Sequence, residues 1–254
     1  MTRRRFFAPP EQFTRDGSSV TLAADEARHL RDVLRLGSGD EVFVFDGEGR
    51  EFRCVVEEQG RDGATLKVVD EVAPARPESP LSLTLCVALL KGEKFELVVQ
   101  KATELGVARI TPIVTKLADV RLRSEEDTER RVVRFRRIAL EACKQSGRAR
   151  APQIDAPVDF HAQIKSVSSD EQSWRVIFSE RGGVSLSAAI EALRARPRAL
   201  TTLVGSEGGW TDEEIMEARD AGWSIVTLGG RTLRAETAAI TVTALLQHLF
   251  GDLV

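Results

Sequence analysis

Arg231, Arg234, Glu236 and Thr237 place two cations, a carboxylate and a hydroxyl within seven residues, directly after a Gly229–Gly230 pair. Side chains of these types hold developing charge and accept protons, and the glycines permit backbone shapes that a side chain would forbid. Two apolar segments bracket the loop. Before it, Trp223, Ile225, Val226 and Leu228 read as a short strand. After it, Ala238, Ala239, Ile240, Val242, Ala244, Leu245, Leu246, Leu249 and Phe250 fall almost all round a helix, which must then be buried on most sides. The same residues also suit an ordinary turn, with Glu236 or Thr237 capping the helix.

A second loop of the same layout lies upstream. Leu200–Val204 is an apolar run, GSEGGW (205–210) follows, and the next helix opens with Thr211 and Glu214 spaced for a capping box and stops at Gly222. Two successive units of strand, glycine loop and helix are what a parallel sheet presents to a ligand at the carboxyl ends of its strands. Neither loop is a phosphate cradle: G-x-G-x-x-G and G-K-[ST] are absent, and Glu207 would set a negative charge against a bound phosphate. The expected ligand is neutral or cationic, which leaves a dinucleotide enzyme a remote alternative.

The elements that must position these loops begin at Leu81. Leu81–Leu89, Ile110–Thr115 and Arg175–Phe178 are strand-like, and Glu93–Leu105, Ser124–Ser146 and Leu186–Leu193 helix-like, which predicts an α/β domain with a mostly parallel sheet over 81–254. Residues 73–80 (APARPESP) hold three of the nine prolines and read as a short, stiff linker. Residues 1–72 read as a small β-rich domain, with strands at 41–45, 51–56 and 65–69, turns at 46–49 and 59–63, and a short helix near 24–34.

At 254 residues, with 42% hydrophobic and 30% charged content, the chain is long enough for one or two cores and is not a disordered tract. Cys54, Cys86 and Cys143 lie far apart without a C-x-x-C, and His29, His161 and His248 are equally scattered. No metal site and no disulfide framework is expected, and the reducing cytoplasm is the expected compartment. Neither a signal peptide nor a membrane span is expected. The net charge of −3 does not by itself suggest nucleic acid. Yet Arg130, Arg131, Arg134, Arg136, Arg137, Lys144, Arg148 and Arg150 stand against Glu141 alone, a basic stretch that is either a solvated face or a contact for phosphates.

LVGSEGGWTDEE (203–214) and LGGRTLRAETAAI (228–240) closely resemble the paired signatures of the RsmE family, SPOUT-class methyltransferases of 16S ribosomal RNA, in which the loops read approximately G-P-E-G-G and L-G-x-R-I-L-R-x-E-T-A. RRFF (4–7), HLRDVLRL (29–36), KFELVVQKATELG (94–106) and KQSGR (144–148) are similar to further stretches, so the resemblance spans nearly the whole chain. It implies an α/β protein with an N-terminal PUA-like small β-barrel and a C-terminal SPOUT domain tied in a trefoil knot. It also implies a homodimer, S-adenosylmethionine as cofactor, and methylation of a uridine N3 in the 16S rRNA of the small ribosomal subunit. Lys144 stands where the family has an acid, Ser206 where it has proline, and Ala235 where threonine is common.

Carried onto these positions, the resemblance implies a cofactor cradle from the backbone of Leu203, Val204, Gly205, Gly208, Gly209, Leu228, Gly229 and Leu233, with Glu207 as counter-charge or competing base. Glu236 would take the N3 proton, and Arg231 or Arg234 would steady the resulting anion. Gln145, Ser146 and Arg148 would meet the splayed-out uracil and its phosphate. Arg130, Arg134, Arg4, Arg5, Arg31 and Arg35 would contact the RNA backbone, and Lys94 is expected to be solvated. Two other readings stay open: a methyltransferase of the same fold acting on a ribose 2′-hydroxyl, and a catalytically silent RNA-binding protein, which the three departures would suit.

Overall fold

The computed structural model describes residues 3–60, 62–122, 124–166 and 172–253; Arg61, inside the expected 59–63 turn, lies outside them. The chain forms two compact units, Met1–Glu78 with Leu140–Ala151, and Ser79–Ala139 with Pro152–Val254. The expected partition at 72 and 80 is linear and has no place for Leu140–Ala151, which packs with the N-terminal unit.

In the first unit, β1 (Arg5–Phe7), β2 (Ser19–Ala23), β3 (Glu41–Phe45), β4 (Glu51–Gln59) and β5 (Gly63–Val72) form one sheet in the order β1-β3-β4-β5-β2, antiparallel except for β1 against β3. The two valines of EVFVF are two positions apart, so Val42 and Val44 share one face with Val20, Leu22, Cys54, Val56 and Leu66. α1 (Ala24–Arg28) covers that core with Ala27 and runs into a π-helical turn, His29–Val33, which buries Leu30. Arg35, in the left-handed region at φ 53°, follows that turn.

A second small core joins Phe45, Cys143 and Ala149, with Phe7, Leu140 and Ala151 around it. Arg5 seals it. Its guanidinium meets both oxygens of Glu51 at 3.1 Å, a carboxylate with no exposed surface, and donates to the carbonyls of Cys143 (2.7 Å), Lys144 (3.2 Å) and Arg148 (2.9 Å). Glu51 also accepts from the Ala75 amide at 2.9 Å. The expectation that Arg5 touches RNA is therefore corrected: its side chain is 5% exposed and its donors are turned inward.

The second unit contains β6 (Ser82–Ala88), α2 (Lys94–Glu104), β7 (Arg109–Val114), α3 (Glu125–Ser146, whose last residues belong to the first unit), β8 (Gln153–Ile154), β9 (Val158–Asp159), α4 (Phe160–Ser166), β10 (Ser173–Phe178), β11 (Val184–Ser185), α5 (Leu186–Glu191), β12 (Ala199–Val204), α6 (Asp212–Asp220), β13 (Ser224–Thr227) and α7 (Ala235–Phe250). The sheet order is β11-β13-β10-β12-β6-β7-β8, β9 also pairs with β7, and every one of these pairs is parallel. Its central strands β6, β10 and β12 are largely buried, as strands covered on both faces of a parallel sheet require. One face packs Leu83, Leu85 and Val87 under Phe95 and Val99 of α2, Val132 and Phe135 of α3, and Val242 and Leu246 of α7. The other packs Cys86, Ile113, Ile177 and Leu203 against Phe160, Ile164, Ala218, Trp210 and Trp223.

All three cysteines are buried and unpaired, and burial pushes the thiols of Cys54 and Cys86 up to about 12 and Cys143 up to about 11. No described helix is long and apolar enough to cross a membrane.

Removing Arg5 takes from the buried Glu51 carboxylate its two-pronged partner and leaves it the Ala75 amide and Arg3 at 3.2 Å. Arg5→Ala is expected to lower the unfolding free energy by about 3–5 kcal/mol in urea denaturation, and a second change, Glu51→Gln, to recover part of that loss.

Candidate active site

The loops after β10, β12 and β13 open at the carboxyl ends of three neighbouring strands. They line one cavity with Phe178–Glu180, residues of Val204–Trp210, and Thr227–Leu233; Ala235, Ala238 and Val242 supply an apolar wall from α7. The loops are held by specific contacts. Trp210 Nε1 donates to the Phe178 carbonyl at 2.8 Å, and the Gly209 amide closes a turn onto the Ser206 carbonyl at 3.0 Å. At Gly208 a methyl group would stand 2.8 Å from Leu117 Cβ and 3.0 Å from its carbonyl oxygen, so close backbone approach requires glycine there.

The expected capping box starts α6: Thr211 Oγ1 accepts from the Glu214 amide at 3.2 Å, and Glu214 accepts from the Thr211 amide at 2.8 Å. Glu214, 1% exposed, also accepts from the Lys116 amide at 3.1 Å. One carboxylate thus ties the loop after β7 to the loop after β12.

α7 begins differently. Arg234 is its N-cap and no side chain caps it, so the turn with a Glu236 or Thr237 cap is set aside. Glu236, in the first helical turn, is 8% exposed, and its Oε2 is buried without a hydrogen-bond partner among the described residues. Negative charge at a helix start is favoured by the helix dipole, while a buried polar atom with no partner is costly.

Of the expected cradle, Val204, Gly205, Gly209, Leu228, Gly229 and Leu233 line the cavity, as does Arg231. Three expected members do not. Leu203 faces the opposite core with Cys86 and Ile113, Gly208 packs on Leu117, and Glu207 pairs with Lys94 at 2.7 Å. Burial pushes the Glu207 carboxyl up, but the hydrogen bond from Lys94, a backbone donor and the Lys94 charge together bring it below its ordinary value. That favours counter-charge over base. Lys94 is accordingly engaged rather than merely solvated, and Glu236 and Arg234 are close enough to act on its charge.

The expected RNA contacts divide. In the first unit Arg148 is 4% exposed, with Nε and Nη2 on Glu78 at 3.0 and 2.6 Å, which corrects its role as a uracil or phosphate contact. Ser146 Oγ is buried without a hydrogen-bond partner among the described residues, and Gln145 is exposed. Lys144 bonds Glu26 and lies 2.8 Å from Glu141. Arg4 and Arg35 are exposed, and Arg31 is half-buried, with Asp32 at 2.7 Å and the Gly60 carbonyl at 3.1 Å. In the second unit Arg130 and Arg134 are exposed on α3, Arg134 pairing with Glu96 at 2.7 Å.

Sequence reasoning missed Ser179 and Glu180, which line the cavity, and the pairing of Lys94. A signal existed for the first two: SERGG (179–183) is a third polar glycine loop after an apolar strand.

Residues 77–247 match the RNA methyltransferase domain family, and residues 22–69 the RNA methyltransferase PUA domain. A ribosomal RNA small subunit methyltransferase E of Synechocystis sp. is 32% identical over 245 residues, covering 96% of this chain and 77% of its own length. Among solved structures, a ribosomal RNA small subunit methyltransferase E from Neisseria gonorrhoeae bound to S-adenosyl methionine aligns with a TM-score of 0.87 at 30% identity, covering 99% of this chain and 100% of that one. A putative methyltransferase from Legionella pneumophila in complex with the same cofactor aligns with a TM-score of 0.88, also at 30% identity, with the same coverage. With a domain match over most of its length and a relative 32% identical over 96% of it, the chain belongs to the ribosomal RNA small subunit methyltransferase E family of RNA methyltransferases.

Proposed function

We propose that this chain transfers a methyl group from S-adenosylmethionine to N3 of a uridine in the 16S rRNA of the small ribosomal subunit, acting in the cytoplasm as a homodimer with a knotted C-terminal segment. The observation that carries the reading is Glu236: a buried carboxylate with one oxygen unpartnered, at the uncapped start of α7 beside a cavity built without a phosphate motif. The cavity residues fit the cofactor, since Val204, Leu228, Leu233 and Ala238 offer apolar surface and Glu180 a carboxylate. The half-buried Ile240, Thr241, Ala244 and Leu245 of α7 fit a subunit contact.

When bound, S-adenosylmethionine supplies an electrophilic methyl group on a cationic sulfonium. Glu236 accepts the proton from uracil N3, so that the nitrogen presents a lone pair. Arg231 and Arg234 hold the negative charge that spreads onto the flanking carbonyl oxygens. Because N3 lies on the pairing edge, the base must be unpaired when it reaches these groups. Exposed Arg130 and Arg134 attract the RNA backbone.

Small subunits lacking the modification, incubated with labelled cofactor and mapped by reverse transcription, are expected to gain label and a single new stop one nucleotide before a uridine. Label without a stop would move the methyl to a ribose hydroxyl, and no label would leave only RNA binding. Glu236→Gln is expected to cut turnover by about a hundredfold or more while leaving cofactor affinity nearly intact by calorimetry. Arg130→Glu with Arg134→Glu is expected to weaken RNA association and flatten its dependence on salt, as measured by filter binding over a salt series.

A further inference from the structure

A second cavity lies apart from the one between the glycine loops. It opens past the carboxyl end of β6, where Leu89, Leu90 and Gly92 lead into α2, and α3 closes its other side. Its floor is apolar: Leu89, Leu90, Phe95 and Phe135 are each 4% exposed or less, and the two rings lie 4.7 Å apart. Its rim is charged in both signs. Arg130, Arg131 and Arg134 stand on α3, with Asp127 of the same helix and Glu96 of α2 among them. At Gly92, left-handed at φ 59°, the space that a methyl group would fill is open.

Pairing within the rim leaves much of its bonding capacity unused. Arg134 Nη2 donates to Glu96 Oε2 at 2.7 Å, and Arg131 Nε donates to Asp127 Oδ2 at 3.2 Å. The other oxygen of Glu96 and the whole Arg130 guanidinium have no hydrogen-bond or ion-pair partner among the described residues. A phosphate would be drawn by the arginines and repelled by the two carboxylates. A group that donates and accepts side by side is drawn by both. Guanine is such a group: O6 and N7 accept from a guanidinium, while N1–H and the N2 amino group donate to a carboxylate. Adenine reverses the pattern, with an amino group where guanine carries O6.

We propose that this second cavity holds an unpaired guanine of the RNA, with Glu96 at its N1 and N2 hydrogens and Arg130 and Arg134 at O6 and N7. The inference rests on the reading of the chain as an RNA methyltransferase, and deepens it by naming a base that the protein selects. α2 connects the two cavities. Lys94 in its first turn reaches Glu207 on the loop after β12, and Glu96, two residues on, reaches Arg134 on α3. Both guanine edges are free together only when the base is unpaired, the state that methylation on a pairing edge also demands.

The test is an NMR titration of the full-length protein, isotope-labelled at arginine, with S-adenosylmethionine added to occupy the first cavity. The Nε–H signals of the three arginines are identified by their loss in Arg130→Lys, Arg131→Lys and Arg134→Lys. Guanosine monophosphate is expected to move them saturably, with an affinity about tenfold above that of the adenosine, cytidine and uridine monophosphates. Glu96→Gln is expected to erase the preference by weakening the guanosine nucleotide alone. A face that binds only phosphate gives the opposite sign: all four nucleotides bind alike, and Glu96→Gln tightens each of them because an anion is gone.

That result overturns the proposal, as does an unsaturated guanosine titration or a preference that survives Glu96→Gln. No methyl transfer is involved, so the two readings fail separately. Loss of the guanine preference beside a mapped methyluridine leaves the reaction standing; a guanine preference in a protein that transfers no methyl leaves the cavity assignment standing.

Discussion

A parallel sheet sends all its carboxyl ends to one edge, and in this chain β10 lies between β12 and β13 on that edge. The polypeptide leaves β12, forms α6 and comes back into the sheet on the far side of β10. Three glycine-bearing loops therefore converge, because their strands are neighbours in the sheet although they do not follow sequence order. The cavity is a property of this order rather than of any one loop, which is why its contacts run between loops: the Trp210 indole on the Phe178 carbonyl, the Arg181 guanidinium on the Trp210 carbonyl at 3.5 Å, and the Ser179 amide on Val226 at 2.9 Å. Ser206, in place of the family's proline, sits inside this mesh at 7% exposure, its turn closed by Gly209.

The two helices that follow β12 and β13 use the same kind of residue in opposite ways. Glu214 spends its carboxylate on backbone donors from Thr211 and Lys116, which fixes α6 and satisfies the group. Glu236 sits one position earlier in its helix and caps nothing. A stabilising choice at this point would have been a cap of the Thr211 kind, which contributes about 1 kcal/mol. Forgoing it leaves an acceptor free at a buried helix start, the sort of local inconsistency that marks a working site.

Much of this was legible in the sequence because it depended on neighbours. The Thr211–Glu214 box, the left-handed stops at Gly106 and Gly222, and the strand, loop and helix repeats are each fixed within a few residues. What was not legible depended on distant partners. Nothing near Lys94 announces Glu207, and nothing near Arg5 announces the carbonyls of 143, 144 and 148. The Leu203 side chain turns to the opposite core, and because a strand buried on both faces shows no alternation, the sequence does not reveal which face a given residue takes. Glu180 lies in a loop whose sequence carries no resemblance to either paired signature, and only the sheet order brings it to the cavity.

The basic stretch after 129 shows how charge counting misleads in the same way. Lys144 and Arg148 close ion pairs inside the first unit, and Arg131 pairs with Asp127 at 3.2 Å. Arg130, Arg134 and Arg137 are exposed at spacings of four and three, one above another on α3. A single helix thus serves two ends: its last residues supply carbonyls to a buried arginine in one unit, while an earlier face keeps cations in water in the other. Part of the run of eight cations is thus taken up by carboxylates, Arg134 with Glu96 at 2.7 Å included. On a protein whose net charge is −3, attraction to RNA must come from where the exposed cations stand rather than from the overall field.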